Sequence, residues 1–186
     1  MAPSLRVPKD GVWKFDEPPI ESAVCIILSF SDNKCYFPLI KRASGNSHGG
    51  QIALPGGKYD FSDKDIMETA LRETYEEIGI RVPRENVLGK LSPLYVPVSN
   101  YMITPFVAFV DEVYKYDISK YEVQFVLTAE LESFFSDSNK SEELMYRGKF
   151  DVLAPYYKLE NEKVWGATAM ILSEFEAVYG DVVNKL

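Results

Sequence analysis

Three closely spaced glutamates, Glu73, Glu76 and Glu77, are the residues of this chain whose spacing most clearly suggests chemistry. At about 100° per residue, the helix predicted over residues 63–78 places the three carboxylates in one stripe, beside a separate apolar stripe. Glu73 and Glu77 are then a like-charge pair at i,i+4, which is unfavourable unless a cation lies between them. Mg²⁺ prefers such oxygen ligands, especially when phosphates complete its shell. A solvated acidic face is the alternative, and the spacing alone leaves both interpretations open.

The composition limits the classes of function. The 186 residues carry a net charge of −8 without a basic cluster, so binding to a long nucleic acid is not expected. No apolar run reaches the length of a membrane span, and the N-terminus lacks the apolar core of a signal peptide. The two cysteines, Cys25 and Cys35, are too few for a disulfide framework, and we expect both to be reduced in a cytoplasmic protein.

The elements that would position the glutamates follow from hydrophobic periodicity and turn residues. We predict an irregular arm over residues 1–20 and a single domain over residues 21–186. Strands are predicted at 22–30, 35–41, 51–54, 87–96, 102–110 and 122–127, the first two as a hairpin. Helices are predicted at 63–78, 128–135 and 166–179. Mixed strands with a few outer helices indicate an α+β sandwich of helix, sheet and helix.

The helix that carries the glutamates has recognisable ends. Ser62 is predicted to cap its N-terminus, with Asp65 in the capping-box position three residues later. Gly79 is predicted to end it. The polar segment SDSNKSEE, after the second predicted helix, is expected to be a surface loop.

The segment around the glutamates, LPGGKYDFSDKDIMETALRETYEEIGI, resembles the Nudix box, the sequence mark of the Nudix hydrolase family. The family pattern is a Gly, a loop, and a helix that carries R-E-x-x-E-E-x-G. The matching residues are Gly57, Arg72, Glu73, Glu76, Glu77 and Gly79. The resemblance implies a Nudix-type α/β/α sandwich with a mixed central sheet, in which the box forms a loop and a helix.

Departures from the common pattern point to the coenzyme A diphosphatase branch of this family. Lys64 stands where the common pattern has a Glu, and the loop from Gly57 to Arg72 is one residue longer than usual. Upstream, LIKRASGNSHGGQIALPGG resembles the second motif of that branch, although its second Arg is missing, with Asn46 nearby. The segments PYYKL and VWGATAMIL are also similar to the closing part of that branch.

This resemblance implies metal-dependent hydrolysis of the pyrophosphate linkage of coenzyme A or its thioesters, giving 3′,5′-ADP and (acyl-)4′-phosphopantetheine. The site must then neutralise charge on the phosphoryl oxygens and position a water molecule. One alternative is a Nudix hydrolase of ADP-ribose or another nucleoside diphosphate derivative. Another is an inactive Nudix-like nucleotide-binding regulator, although all three box glutamates are present. An acidic interaction module without a metal would leave the glutamate spacing unexplained.

The resemblance also assigns roles to the residues of the box. Mg²⁺ or Mn²⁺ is expected at Glu73 and Glu77, with Glu76 as a third ligand and the carbonyl of Gly57 as a further one. We expect Arg72 to hold a helix glutamate by a bidentate contact rather than to react itself.

The resemblance implies that one of these three helix glutamates, or a glutamate from a distant loop, deprotonates the attacking water. Glu122, at the start of EVQFVL, is expected to bind the metal or to accept the proton of the attacking water. The alternative for Glu122 is a solvated residue at the start of a strand, and the sequence leaves the choice open.

The candidate substrate-binding residues lie around the loop before the PGG turn, and they are Lys41, Arg42, His48, Gln51 and Lys58. Since the protein is acidic, recognition of the 3′-phosphate of coenzyme A would need the local basic residues of this set. His48 is the only histidine, and we expect it to line the substrate or support the loop rather than act as an acid or base. The expected partner is a nucleoside diphosphate substrate, with no nucleic acid and no membrane. A homodimer stays open.

Overall fold

Two sheets and three helices form the described part of the chain in the computed structural model, which covers residues 15–44, 49–111, 115–147, 150–183 and 185. The larger sheet contains β1 (Ile20–Ser31), β2 (Lys34–Arg42), β3 (Ile52–Ala53), β4 (Gly56–Lys58), β5 (Val87–Lys90), β6 (Leu94–Val96), β7 (Tyr101–Val110) and β8 (Val123–Glu130). The smaller sheet contains β9 (Lys140–Arg147), β10 (Phe150–Leu159) and β11 (Glu162–Trp165). The helices are α1 (Ile66–Ile78), α2 (Leu131–Phe135) and α3 (Gly166–Val183).

The larger sheet is mixed and is built around β1. This strand runs parallel to β7 and antiparallel to β2 and β4. The predicted hairpin of the first two strands is confirmed, with Ser29 opposite Tyr36. Its turn residues Asp32 and Asn33 have φ values of 49° and 60°, as a type I′ turn requires.

Two buried clusters cover the opposite faces of the larger sheet. Cys25 and Ile27 of β1 share one cluster with Ala70 of α1. The intervening residue, Ile26, belongs to the other cluster, which also contains Leu172 of α3. Successive side chains of a strand point to opposite faces, so the sheet lies between α1 on one side and α2 and α3 on the other. The predicted α/β/α sandwich with a mixed sheet is confirmed.

The start of α1 differs from the prediction. Residues 60–63 form a turn that the Asp63 N–H closes by donating to the carbonyl of Asp60 at 2.9 Å. Ser62 lies inside this turn, where its N–H and hydroxyl donate to the Asp60 side chain. Asp65 is the N-cap instead, and its carboxylate accepts the N–H of Glu68 at 3.0 Å. Gly79 ends the helix as predicted, with φ at 75°.

The strand predicted at residues 87–96 is two strands, β5 and β6, which both pair with β7. The Ser92 N–H between them donates to Glu174 of α3 at 2.9 Å. The strand is interrupted between Lys90 and Leu94, and Pro93 in this interval has no N–H to donate to a ladder.

Two predictions after residue 127 are confirmed only in part. The helix predicted at 128–135 begins only at Leu131, because β8 continues to Glu130, which pairs with Tyr36 of β2. The predicted loop SDSNKSEE contains a 3₁₀ turn at Asp137–Asn139 and the start of β9, which pairs with β10. Strand pairing, with the distant β2 in the first case and with the adjacent β10 in the second, overrides the local helical and polar preferences here.

The last helix, α3, continues beyond the predicted end at residue 179, to Val183. Within the described ranges, no helix is both long and apolar enough to cross a membrane. Residues 1–14 lie outside the described part, so the division into an arm over 1–20 and a domain over 21–186 stays a prediction.

Candidate active site

The backbone of β4 lies directly against the glutamates of α1. The Gly56 N–H donates to Oε2 of Glu77 at 2.8 Å. A Cβ on Gly57 would lie 2.4 Å from the carboxyl carbon of Glu73, and a Cβ on Gly56, whose φ is 149°, would lie 2.2 Å from the carbonyl oxygen of Ala23. Only glycine lets the backbone approach this closely at both positions.

Glu77 is the most buried of the three glutamates, with 3% of its surface exposed. Burial raises its pKa to about 7, and the charges of Glu73 and Glu122 act in the same direction. Arg42, whose Nη2 lies 3.9 Å from Oε1 of Glu77, and the Gly56 N–H act against this rise in pKa. A cation beside Glu77 would remove the cost of ionising a buried carboxyl group.

Arg72 is held on two sides. Its Nε and Nη2 donate to the two carboxylate oxygens of Asp63 at 2.9 and 3.1 Å. Its Nη1 donates both to Oε1 of Glu73 at 2.9 Å and to Oε2 of Glu76 at 2.8 Å. The predicted bidentate contact between Arg72 and a helix glutamate is therefore wrong. Nε and Nη2 of Arg72 already bind Asp63, so the two glutamates share Nη1.

Asp63 is the partner of Arg72 in this group, a role that the sequence analysis did not assign to it. Its side chain is 2% exposed, and it also accepts hydrogen bonds from the Thr69 hydroxyl at 2.7 Å and the Asp60 N–H at 3.2 Å. The hydrogen bonds from Arg72 are the main reason why its pKa falls to about 2. The available signal was Lys64, which removes the usual glutamate and leaves the neighbouring aspartate as a partner for Arg72.

Glu122 lies on the loop that leads into β8, and its side chain is exposed. The loop is tied to the C-terminal end of α1, since the Ser119 N–H donates to the carbonyl of Glu77 at 3.0 Å and the Glu122 N–H donates to the carbonyl of Ser119 at 3.0 Å. The charge of Glu122 contributes to the raised pKa of both Glu73 and Glu77. Glu122 is therefore within electrostatic range of Glu73 and Glu77.

The predicted basic residues are divided between the two faces of the sheet. Arg42 faces α1, where its Nη2 donates to the carbonyl of Gly56 at 3.0 Å. The preceding residue, Lys41, points to the other face, where its Nζ contacts Oε2 of Glu162 on β11 at 2.6 Å. Lys41 is thus already paired, and its ammonium lies away from the glutamates.

The other candidate substrate-binding residues lie at the rim of this region or outside the described residues. Lys58 is exposed, and its Nζ lies 5.7 Å from the centre of the Tyr101 ring. Gln51 contributes its backbone, since its carbonyl accepts the Arg42 N–H at 3.0 Å. His48 and Asn46 lie outside the described residues.

The donors of this region suit a hard divalent cation. Glu73 and Glu77 present carboxylates from successive turns of one helix, and the missing Cβ of Gly57 leaves room for the Glu73 carboxylate against β4. Such an all-oxygen set fits Mg²⁺ or Mn²⁺. In the described part of the chain, no three Asp, Glu, His or Cys side chains converge as a metal-binding group. Glu76 is half exposed and paired with Arg72, so it would have to leave that contact to act as a third ligand.

Comparisons with known proteins agree with this geometry. A family model described as the NUDIX domain matches residues 19–146. The chain is 35% identical over 127 residues to "Mitochondrial coenzyme A diphosphatase NUDT8" of Homo sapiens, which covers 67% of this chain and 53% of that protein. It is 35% identical over 125 residues to "Uncharacterized Nudix hydrolase NudL" of Yersinia pestis (strain Pestoides F), covering 67% of this chain and 62% of that protein. In both cases the match spans less than two thirds of the relative's own length.

A solved structure supports the fold. The crystal structure of a MutT/nudix family protein from Enterococcus faecalis aligns with a TM-score of 0.63 at 17% identity, covering 95% of this chain and 66% of that chain. At this level of identity the likeness concerns the arrangement of the sheet and helices alone.

Proposed function

The chain belongs to the Nudix family, and we propose that it hydrolyses the pyrophosphate linkage of coenzyme A or its thioesters to 3′,5′-ADP and (acyl-)4′-phosphopantetheine. The observation that carries the reaction type is the packing of the Glu73 and Glu77 carboxylates against the glycine backbone of β4. The substrate class is supported by the similarity to the human relative, which is named a coenzyme A diphosphatase.

In this proposal, Glu73 and Glu77 hold Mg²⁺ or Mn²⁺, with Glu76 and the carbonyl of Gly57 as further ligands. A divalent ion at this position supplies positive charge to the phosphoryl oxygens of the substrate. The Gly56 N–H fixes the orientation of Glu77 by its 2.8 Å hydrogen bond. Arg72 remains outside the reaction and orients Glu73 through Nη1, whereas Glu76 would leave its contact with Nη1 to reach the metal.

Hydrolysis also needs a group that accepts a proton from the attacking water as the new P–O bond forms and the P–O bond of the anhydride breaks. We assign this role to Glu122. Its side chain is exposed to water, whereas Glu77 is almost completely buried. Its backbone is anchored to α1 through Ser119, so its position relative to the helix glutamates is fixed.

A second candidate function is hydrolysis of ADP-ribose or another nucleoside diphosphate derivative without a 3′-phosphate. The ion pair between Lys41 and Glu162 on the far face of the sheet favours this second function. Lys41 is one of the three basic residues expected to bind the 3′-phosphate, and it is already paired. Arg42 and Lys58 would have to provide that recognition.

A panel of diphosphates with product identification tests the two functions. Coenzyme A, an acyl-coenzyme A and ADP-ribose would each be incubated with the protein and Mg²⁺ or Mn²⁺, and the products separated by anion-exchange chromatography. We expect 3′,5′-ADP from coenzyme A and a higher kcat/KM than for ADP-ribose. A preference for ADP-ribose would support the second function, and no turnover of any diphosphate would contradict both.

The cytoplasmic location and the homodimer stay predictions. The human relative carries the name mitochondrial, so imaging of the tagged full-length protein is the experiment for location. Light scattering of the purified protein is the corresponding measurement for oligomeric state.

A further inference from the structure

We infer that Gly79 is a positioning residue for Glu122, because the loop that carries Glu122 packs into the space where a side chain at position 79 would lie. The inference rests on the proposed function, in which Glu122 accepts a proton from the attacking water. It gives Gly79 a second role, besides that of ending α1.

The last carbonyl groups of α1 hold this loop by its backbone. A helix leaves its final carbonyl groups without partners of its own. Here the carbonyl of Ile78 accepts the Asp117 N–H at 3.1 Å. The carbonyl of Glu77 accepts the Ser119 N–H at 3.0 Å. The loop therefore docks on the helical turn that carries Glu77, through hydrogen bonds that do not depend on side chains of the loop.

Gly79 lets the loop come this close to the helix. A Cβ on Gly79 would lie 2.8 Å from the Cβ of Asp117, 3.0 Å from its carbonyl oxygen and 3.2 Å from its nitrogen. Rotation of a side chain moves none of these three atoms, so the chain could make room only by moving its backbone. A side chain at position 79 would therefore push the loop away from the end of α1.

The displacement would reach Glu122 through Ser119. The carbonyl of Ser119 accepts the N–H of Glu122 at 3.0 Å and the N–H of Val123 at 2.8 Å. On its other side, the carbonyl of Glu122 accepts the Ala43 N–H at 2.8 Å. Because this turn is short and closed by these bonds, a shift of Ser119 changes the position of Glu122 relative to Glu77.

Backbone strain is the competing explanation for any effect of a side chain at position 79. Gly79 has a φ of 75°, a left-handed conformation that residues other than glycine and asparagine rarely adopt. Gly166→Ala is the matched control, since Gly166 has a φ of 64° and a Cβ there would meet nothing within 4 Å. Gly79→Asn is the converse, because asparagine tolerates this backbone but carries the same Cβ.

The first measurement is kcat for the diphosphate that the full chain hydrolyses fastest. We expect Gly79→Ala and Gly79→Asn to lower kcat about 10- to 100-fold, because a misplacement of about 1 Å can cost roughly 100-fold. Gly166→Ala should keep the wild-type kcat. Wild-type kcat in Gly79→Asn would overturn the inference, whether or not Gly79→Ala is impaired, because strain alone would then explain the effect of alanine.

The Kd for Mn²⁺, titrated by electron paramagnetic resonance without substrate, shows which part of the site has moved. Glu73 and Glu77 lie on α1 itself, so Gly79→Asn should bind Mn²⁺ with the wild-type Kd. A Kd that rises as much as kcat falls would mean that the helix glutamates have been displaced. That result would contradict a role through Glu122.

A double-mutant cycle with Glu122→Gln tests the connection between the two residues. If Gly79 acts through Glu122, Gly79→Asn should lower kcat in the wild-type background and change it little once Glu122 is replaced. Equal losses in the two backgrounds would show that Gly79 acts independently of Glu122, contrary to the inference.

Asp117→Gly provides a rescue. This substitution removes the atom that lies nearest to the added Cβ, while the N–H of residue 117 can still donate to Ile78. Alone, Asp117→Gly should be fully active. Combined with Gly79→Asn, it should restore part of the lost kcat. The absence of any recovery would mean that contact with Asp117 is not the cause, and the inference would be wrong.

The inference and the proposed function can fail separately. If the unsubstituted protein hydrolyses a diphosphate and Glu122→Gln is impaired while Gly79→Asn is not, only the role of Gly79 is wrong. If the unsubstituted protein turns over no diphosphate, or Glu122→Gln keeps the wild-type kcat, the proposed function or its assignment of Glu122 is contradicted. The role of Gly79 then falls with it.

Discussion

The carboxylate of Glu73 lies so close to the Cα of Gly57 that a Cβ there would come within 2.4–2.5 Å of all three of its carboxyl atoms. Gly57 of β4 and Glu73 of α1 are therefore in direct contact. The glycine is required by the glutamate that it faces, and not by an unusual φ of its own.

Gly57→Ala should therefore damage the site more than the fold. The added methyl group must push the Glu73 carboxylate away from β4, and we expect kcat/KM to fall about 10- to 100-fold, as when a metal ligand loses its support. Gly89→Ala on β5 is the control, because a Cβ there meets nothing within 4 Å. Steady-state kinetics and thermal melts would be measured for both. Wild-type kinetics in Gly57→Ala would show that the contact does not matter.

The raised pKa of Glu77 predicts a pH-dependent stability in the absence of metal. Between the ordinary pKa of 4.5 and about 7, the folded protein retains a proton that the unfolded chain has lost. The contribution of Glu77 to the free energy of unfolding is therefore largest below pH 4.5. This contribution falls as the pH rises through this window. The full effect is roughly 3 kcal/mol.

Urea unfolding at pH 5 and pH 8, in the presence of EDTA, measures this effect. Wild type should lose about 2 kcal/mol more than Glu77→Gln between these pH values. Excess Mg²⁺ should reduce the difference, because a bound cation favours the ionised carboxylate. Parallel pH profiles of wild type and Glu77→Gln would mean that Glu77 does not titrate in this range.

Recognition of the 3′-phosphate is a separate prediction. A charge-assisted contact contributes about 1.5–3 kcal/mol, so coenzyme A should exceed its 3′-dephospho form about ten- to a hundredfold in kcat/KM. Lys58→Gln should reduce this preference, since Lys58 is exposed. Lys41→Gln should leave it unchanged, because Lys41 is paired with Glu162. Equal kcat/KM for the two substrates would favour a broader nucleoside diphosphate hydrolase.

The parts of the fold that the sequence predicted are those specified by local pattern. The hairpin of β1 and β2 and the glutamate stripe of α1 follow from periodicity and from turn residues such as Asn33 and Gly79. The predictions that were wrong depended on distant partners. The Ser92 N–H, between β5 and β6, donates to Glu174, which is 82 positions away, and β8 extends to Glu130 because this residue pairs with Tyr36 of β2.

The same distinction applies to the site. The spacing of Glu73 and Glu77 is visible in the sequence, whereas the partner of Arg72 is decided by the turn at residues 60–63. The pairing of Lys41 joins residues 121 positions apart, and it forms because β11 packs against β3, the neighbour of β2. Alternation along β2 separates Lys41 and Arg42 onto opposite faces of the sheet, but the sequence did not show which of the two faces α1.

Release of 3′,5′-ADP from coenzyme A, followed against added Mg²⁺, tests whether Glu73 and Glu77 form a metal site for pyrophosphate hydrolysis. Wild type should release 3′,5′-ADP in a saturable, Mg²⁺-dependent manner that EDTA abolishes. Glu73→Gln and Glu77→Gln should each lower kcat about a hundredfold or more while melting like the wild type. Glu68→Gln, an exposed change in the first turn of the same helix, should be fully active. Release without a divalent metal, or near-wild-type turnover in Glu73→Gln or Glu77→Gln, would contradict the assignment.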